Sequence, residues 1–196
     1  MPLVAIRTMG QDEFLTWAQD RDQRHELVDG VPVAMAGPKR RHDQIVVNTI
    51  REISTQLRGA VCRPFTADTA VRILAGNVRL PDAGVDCGTF RDETNWVDQP
   101  AVVIEVLSAS TRDFDLFGKV EEYKTVPSLR HIVIVDPDEA RAVHWIRGAD
   151  AAWSFQTHEG LEAAIVTASP ALTLPLADLY EGLSFAARPH LVGAAG

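Results

Sequence analysis

Four residues of this chain carry the types and spacing needed for metal-assisted acid–base chemistry, and Glu105 is the one that demands an explanation. It stands within AVVIEVL, residues 101–107, flanked by Val102, Val103, Ile104, Val106 and Leu107. Both faces of that segment are apolar, which predicts a central strand covered on both sides. An ionised carboxylate there is costly unless it is paired or binds a metal. Asp82 follows Pro81 in RLPDAGVDCG and precedes Glu105 by 23 positions. Two acids at the ends of neighbouring strands can converge on one divalent cation. Oxygen ligands of this kind suit magnesium, which keeps waters and substrate phosphates in its other positions. Lys119 lies 14 positions beyond Glu105. At about 100° per residue it falls beside Leu116, Tyr123 and Val126, at the edge of the face expected to pack inward. Glu26 is the fourth candidate. Plainer readings compete: a Pro-Asp turn, a solvated lysine, an exposed hairpin glutamate, a structural Glu105–Lys119 salt bridge. The apolar surroundings of Glu105 set it apart from the others.

The elements that must position these residues form a mixed α/β pattern. Thr8–Ala18 reads as a helix, with Thr8 as its cap. In HELVDGVPVAMAG, Asp29-Gly30 separates two apolar-alternating runs, His25–Val28 and Val31–Met35, and marks a hairpin. Ile45, Val46, Ile50, Ile53 and Leu57 recur at helical spacing over residues 39–58. Short strands are expected over 60–63, 70–74 and 85–89, a helix over Phe114–Thr125, and a strong strand at HIVIVD, 131–136. RAVHWIR, 141–147, reads as its hairpin partner, with edge strands at 152–156 and 171–174. The pattern is not a regular βαβ repeat.

With 196 residues, 46% hydrophobic and 23% charged, the chain has the makeup of one globular domain over residues 1–187, followed by a loose tail over 188–196. No apolar run reaches the roughly 18–20 residues of a membrane span, and the N-terminus lacks a signal-peptide pattern. Cys62 and Cys87 have no metal-like spacing, so free thiols and a cytoplasmic location are expected. A net charge of -8 repels nucleic acid globally, so any such binding must be local. PKRRH, 38–42, is the one dense basic run; Lys39, Arg40, Arg41 and His42 at a helix start can meet phosphate, with Arg51 and Arg58 extending that side.

Proline-aspartate followed by an acid within an apolar strand resembles the PD-(D/E)XK nuclease superfamily. Leu107 occupies the position of that superfamily's usual lysine. The chain resembles more closely the Uma-two family of restriction-type endonucleases, in which the lysine has moved to the following helix. HELVDGVPVAMAG, His42, LPDAGVD, PAVVIEVLSAST, the DLFGK run with Tyr123, and LRHIVIVDPD carry the likeness over most of residues 24–138. Val31 and the Ala36–Lys39 stretch depart from the family's usual wording, away from the candidate site.

The resemblance implies a restriction-endonuclease-like mixed β-sheet flanked by helices, with an N-terminal helix and hairpin. It implies Asp82 and Glu105 as ligands of Mg²⁺, or Mn²⁺ in its place, with the Val106 carbonyl as a further ligand. Lys119 becomes the migrated catalytic lysine, Glu26 the N-terminal acid, and His42 a family histidine. The expected activity is endonucleolytic hydrolysis of DNA, with a homodimer as the arrangement that cuts both strands. Rival readings are a nuclease-like domain that binds without cutting and a protein-interaction module. A hydrolase built on Ser108, His131 and Asp136 lacks a nucleophile elbow. The scattered histidines offer no zinc spacing.

Overall fold

The computed structural model describes residues 8–35, 37, 39–108 and 115–185. The expected helix start at Phe114 and the tail over 188–196 lie outside the described residues.

The N-terminal unit opens with α1 (Gln11–Gln19), followed by the hairpin of β1 (His25–Val28) and β2 (Val31–Ala34). Asp29 and Gly30 take φ of 49° and 77°, as a tight turn matched to strand twist requires. Thr8 is not the helix cap: Gly10 holds that position. The Thr8 side chain instead packs on Gly30, where an added Cβ would stand 2.8 Å from it. β1 continues the sheet through β5 (Val78–Arg79) to β4 (Val71–Arg72), giving the order β2-β1-β5-β4. Phe14, Leu15, Leu27 and Val78 form the core beneath α1.

The second sheet is the larger. Its strands are β3 (Arg63–Thr66), β6 (Ala83–Asp86), β7 (Pro100–Val106), β8 (His131–Asp136), β9 (Arg141–Arg147) and β10 (Trp153–Glu159), in the order β10-β9-β8-β7-β6-β3. β7 and β8 are parallel; every other neighbouring pair is antiparallel. Strand alternation splits the apolar residues of β7 and β8 between two cores. Val102, Ile104, Val133 and Val135 meet α2 (Arg40–Gln56), the hairpin of β11 (Ala164–Ala168) and β12 (Ala171–Pro175), and the short α4 (Leu176–Leu179). Val103, Ile132 and Ile134 meet α3 (Val120–Lys124), which a wide π turn over Asp115–Lys119 introduces. β5, β11 and α4 lie outside the expected elements: two-residue strands and short amphipathic pieces carry too little periodicity to be read locally.

The cysteines correct an expectation. Cys62 and Cys87 form a disulfide, with S–S 2.04 Å, rather than two free thiols. The reason is register: Arg63 pairs with Asp86, which sets the two adjoining cysteines against each other across β3 and β6. The thiol argument for a reducing compartment therefore falls away. Among the described residues no helix is long and apolar enough to cross a membrane.

Candidate active site

β7 is buried along its whole length, and Glu105 is 4% exposed. Its backbone pairs with Ile134 of β8, so its carboxylate projects toward the α3 side of the sheet. Three elements meet it there. Tyr123 of α3 donates from its hydroxyl to Glu105 Oε1 at 2.7 Å. Lys119, at the end of the π turn, brings Nζ to 3.3 Å from the same oxygen and to 3.0 Å from Glu26 Oε1 of β1. Sequence spacing had set Lys119, Tyr123 and Val126 on one inward face, and all three are buried.

Asp82 stands just before β6, whose register runs Ala83 to Ile104. β6 approaches closely: a Cβ on Gly84 would lie 2.7 Å from the Val102 carbonyl oxygen and 2.3 Å from the Phe65 ring, so only glycine fits. That approach lets the Val106 N–H donate to Asp82 Oδ2 at 2.8 Å, with His42 Nε2 3.1 Å from the same oxygen. His42, in the first turn of α2, thus enters the site through Asp82. Among the described residues, Asp82 Oδ1 and Glu105 Oε2 accept no hydrogen bond.

Residues that local sequence did not single out complete the cluster. Arg79 of β5 is fully buried and bridges two glutamates. Its Nη1 donates to Glu26 Oε2 at 3.0 Å, while Nε and Nη2 each lie 2.6 Å from a Glu122 oxygen of α3. The Leu80 N–H donates to Glu26 Oε1 at 3.1 Å, and Asn77 Nδ2 to Glu122 Oε1 at 2.9 Å. A bidentate Arg–Glu pair at this depth fixes α3 against the N-terminal sheet. The one cue in the sequence was an arginine between Val78 and Leu80.

The electrostatics of the cluster follow from its composition. Burial pushes the Glu105 carboxyl up to about 8; the charges of Asp82 and Glu26 push the same way, against Lys119 and the Tyr123 hydrogen bond. Burial and the Glu105 charge hold the Tyr123 hydroxyl well above its ordinary value. Burial works to lower His42, yet the Asp82 bond and the Asp82 and Glu105 charges carry it above its usual value. Four carboxylates (Glu26, Asp82, Glu105, Glu122) face Arg79, Lys119 and His42. Among the described residues, no three His, Cys, Asp or Glu side chains form a metal-ligating group.

The basic run divides. Lys39 and Arg40 are exposed at the start of α2. Arg41 is committed to the fold: it donates to the Pro137 and Ser184 carbonyls, and its guanidinium lies 4.9 Å from the Phe185 ring. Arg51 is tied to Glu52 and Glu181. His131 and Asp136 are both buried on β8. His131 bonds to His144 at 3.0 Å, and the Asp136 carboxylate accepts from the Asp138 N–H at 2.9 Å.

Known proteins share this architecture. A crystal structure described as a putative nuclease belonging to DUF820 from Anabaena variabilis superposes with a TM-score of 0.73 at 19% identity, covering 88% of this chain and 97% of that one. The mixed sheet flanked by helices is therefore the restriction-endonuclease-like fold. Two uncharacterized proteins of Synechocystis sp. are similar along nearly their whole length. The protein slr1290 is 28% identical over 94% of this chain and 97% of its own, and sll1609 is 24% identical over 84% and 96%. Residues 11–177, which contain every member of the cluster, match the family described as "Uma2: Putative restriction endonuclease", and the chain belongs to that family.

Proposed function

We propose that this protein is a metal-dependent endonuclease that hydrolyses phosphodiester bonds of DNA at the Glu105 cluster. One observation carries the reading. Among the described residues, Glu105 and Asp82 each hold one carboxylate oxygen fixed by donors and the other without one, close enough for the Asp82 charge to act on the Glu105 carboxyl. That donor set fits a small divalent cation. Two carboxylate oxygens and the Val106 carbonyl are hard ligands, few enough to leave positions for water and phosphate, as Mg²⁺ or Mn²⁺ prefers. Bound there, the ion would supply a nucleophilic water of lowered pKa and neutralise charge building on the phosphate.

The chain's own groups have separate tasks. Tyr123 and the Val106 N–H orient the two carboxylates. Lys119, held between Glu26 and Glu105, places its ammonium where it can orient the attacking water by donating to it and offset developing negative charge. Glu26 keeps Lys119 in place, and Arg79 keeps Glu26 in place. His42 holds Asp82 from the α2 side. Lys39 and Arg40 beside His42 give a local cationic approach for the DNA backbone on a protein of net charge -8.

The test is calorimetric titration of Mg²⁺ and Mn²⁺ into wild type and Asp82→Ala, with plasmid nicking measured on the same samples. Binding and nicking that both vanish in Asp82→Ala are the expected result. Metal binding without nicking, on any plasmid or linear duplex tried, would convert the reading to a nuclease-like domain that binds without cutting. No binding at millimolar metal with DNA present would leave Glu105 a structural residue.

A further inference from the structure

The sheet face that carries Glu105 is covered by α3 at one end and open at the other. Register sets Val103, Ile132, Trp145 and Phe155 in one row across β7, β8, β9 and β10. α3 covers the near end of that row, where Val103 and Ile132 are fully buried. It stops at Lys124, whose ammonium lies 3.6 Å from the centre of the Trp145 ring. Past that point Phe155 is 59% exposed, with its ring centre 4.9 Å from that of Trp145. Two residues along, Arg147 pairs with Trp153, its guanidinium 5.9 Å from the ring. Arg147 Nη1 donates to the Pro127 carbonyl at 2.8 Å, which fixes the guanidinium. Its backbone N–H donates at 2.9 Å to the carbonyl of Arg130, an exposed residue. Lys124 is paired with Glu121 on its own helix. Among the described residues neither Arg130 nor Arg147 is paired with a carboxylate. Aromatic rings and cations thus alternate on this face, on a protein of net charge -8.

We infer that this face is a binding surface for single-stranded nucleic acid, separate from the Glu105 site. Phe155 and Trp153 offer rings on which bases stack, and Lys124, Arg130 and Arg147 stand beside them to meet the phosphates. The unpaired guanidiniums decide between occupants. An apolar protein partner would take Arg130 and Arg147 out of water with nothing to compensate them. A second copy set face to face would bring like charges together. A polyanion with flat bases answers both the cations and the rings. A single strand is favoured over a duplex because a duplex keeps its base faces stacked inside. Glu105 lies in the adjacent row, with Ile134, Val143 and Thr157, so the surface and the candidate site share one sheet face. The inference goes beyond the proposed hydrolysis and does not depend on it, because its test reads binding without metal.

The experiment is fluorescence anisotropy of a labelled oligothymidylate, and of its duplex with oligodeoxyadenylate, in EDTA. The proteins are wild type, Phe155→Leu, Phe155→Tyr, Arg130→Glu and Asp82→Ala. Wild type is expected to bind the single strand more tightly than the duplex. Phe155→Leu, which keeps an apolar side chain and removes the ring, should weaken single-strand binding at least about fivefold with unchanged circular dichroism. Phe155→Tyr and Asp82→Ala should bind as wild type does. Arg130→Glu should bind more weakly and with a shallower salt dependence; it decides alone if Phe155→Leu misfolds. A duplex bound as tightly as the single strand, wild-type affinity in folded Phe155→Leu, or equal losses in the Leu and Tyr variants overturns the inference. So does a Phe155→Leu protein whose own mass changes while its affinity does not, since the face would then be a contact between copies. Single-strand binding by a protein that never nicks DNA leaves this surface in place and removes the hydrolytic reading. Metal-dependent nicking with wild-type binding in Phe155→Leu does the reverse.

Discussion

Burial of the Glu105 carboxyl, 4% exposed, links its protonation to the stability of the fold. With no cation bound, its carboxyl titrates at about 8 in the folded protein against 4.5 for the ordinary group. A carboxyl raised in this way stabilises the fold while protonated and loses that contribution as pH rises toward 8. Glutamine keeps the shape and removes the charge. Metal-free Glu105→Gln should therefore match wild type near pH 5 and melt roughly 5 °C higher near pH 8. Added Mg²⁺ should raise the wild-type melting temperature and leave the variant's unchanged, while the variant cuts nothing. A variant that melts below wild type at pH 8 without metal would mean that Glu105 is a well-paired structural anion. At this scale the sequence was readable wherever a residue contradicted its neighbours. Glu105 among valines, Asp82 after proline, and Lys119 on an apolar helix face all did so. Arg79 and Glu122 did not. Each looks ordinary locally, and their pairing spans 43 positions between β5 and α3.

At the scale of elements, β8 and β9 carry a second titrating feature away from the site. His131 Nδ1 lies 3.0 Å from His144 Nε2 across the strand pair, and both rings are buried. Burial, with Arg130 adding for His131 and with His131 and His158 adding for His144, lowers both from 6.5 to about 4. The unfolded chain takes up these protons near pH 6.5, and the folded one only near 4. Between those values the unfolded state binds more protons, so stability is complete above about 6.5 and falls as pH drops toward 4. The loss reaches roughly 3 kcal/mol for each ring at most. Urea unfolding at pH 7 and pH 5 should show the decline in wild type and a flatter profile in the double variant His131→Leu, His144→Leu. An equal decline in both proteins would assign it to other groups. The strands themselves were legible. HIVIVD and RAVHWIR fall on β8 and β9 residue for residue, since long apolar runs announce themselves. The histidine contact was not, because it depends on which residues register brings together: Val133 pairs with His144, and His131 with Ile146.

The whole molecule hangs on the six-stranded sheet, whose two faces carry separate cores. Each strand end that builds the candidate site is held from a distance. β6 brings in Asp82, and its outer neighbour β3 is fastened to it by Cys62–Cys87. No local pattern announced that bond; two cysteines 25 positions apart become neighbours only once β3 and β6 are in register. Closing a loop of that length restricts the unfolded chain and stabilises the fold by roughly 3 kcal/mol. Reduction should thus lower the melting temperature on the order of 10 °C, scaled for a protein of this size. Cys62→Ala with Cys87→Ala should melt at the reduced value whether or not reductant is present. The carboxylate of Asp82 is held from the other side, by Val106 of β7 and His42 of α2. Metal affinity measured well below the melting temperature should therefore be the same in oxidised protein, reduced protein and the double variant. If reduction weakens metal binding while the fold stays intact, β3 acts on the site directly, and the disulfide belongs to the function as well as to the fold.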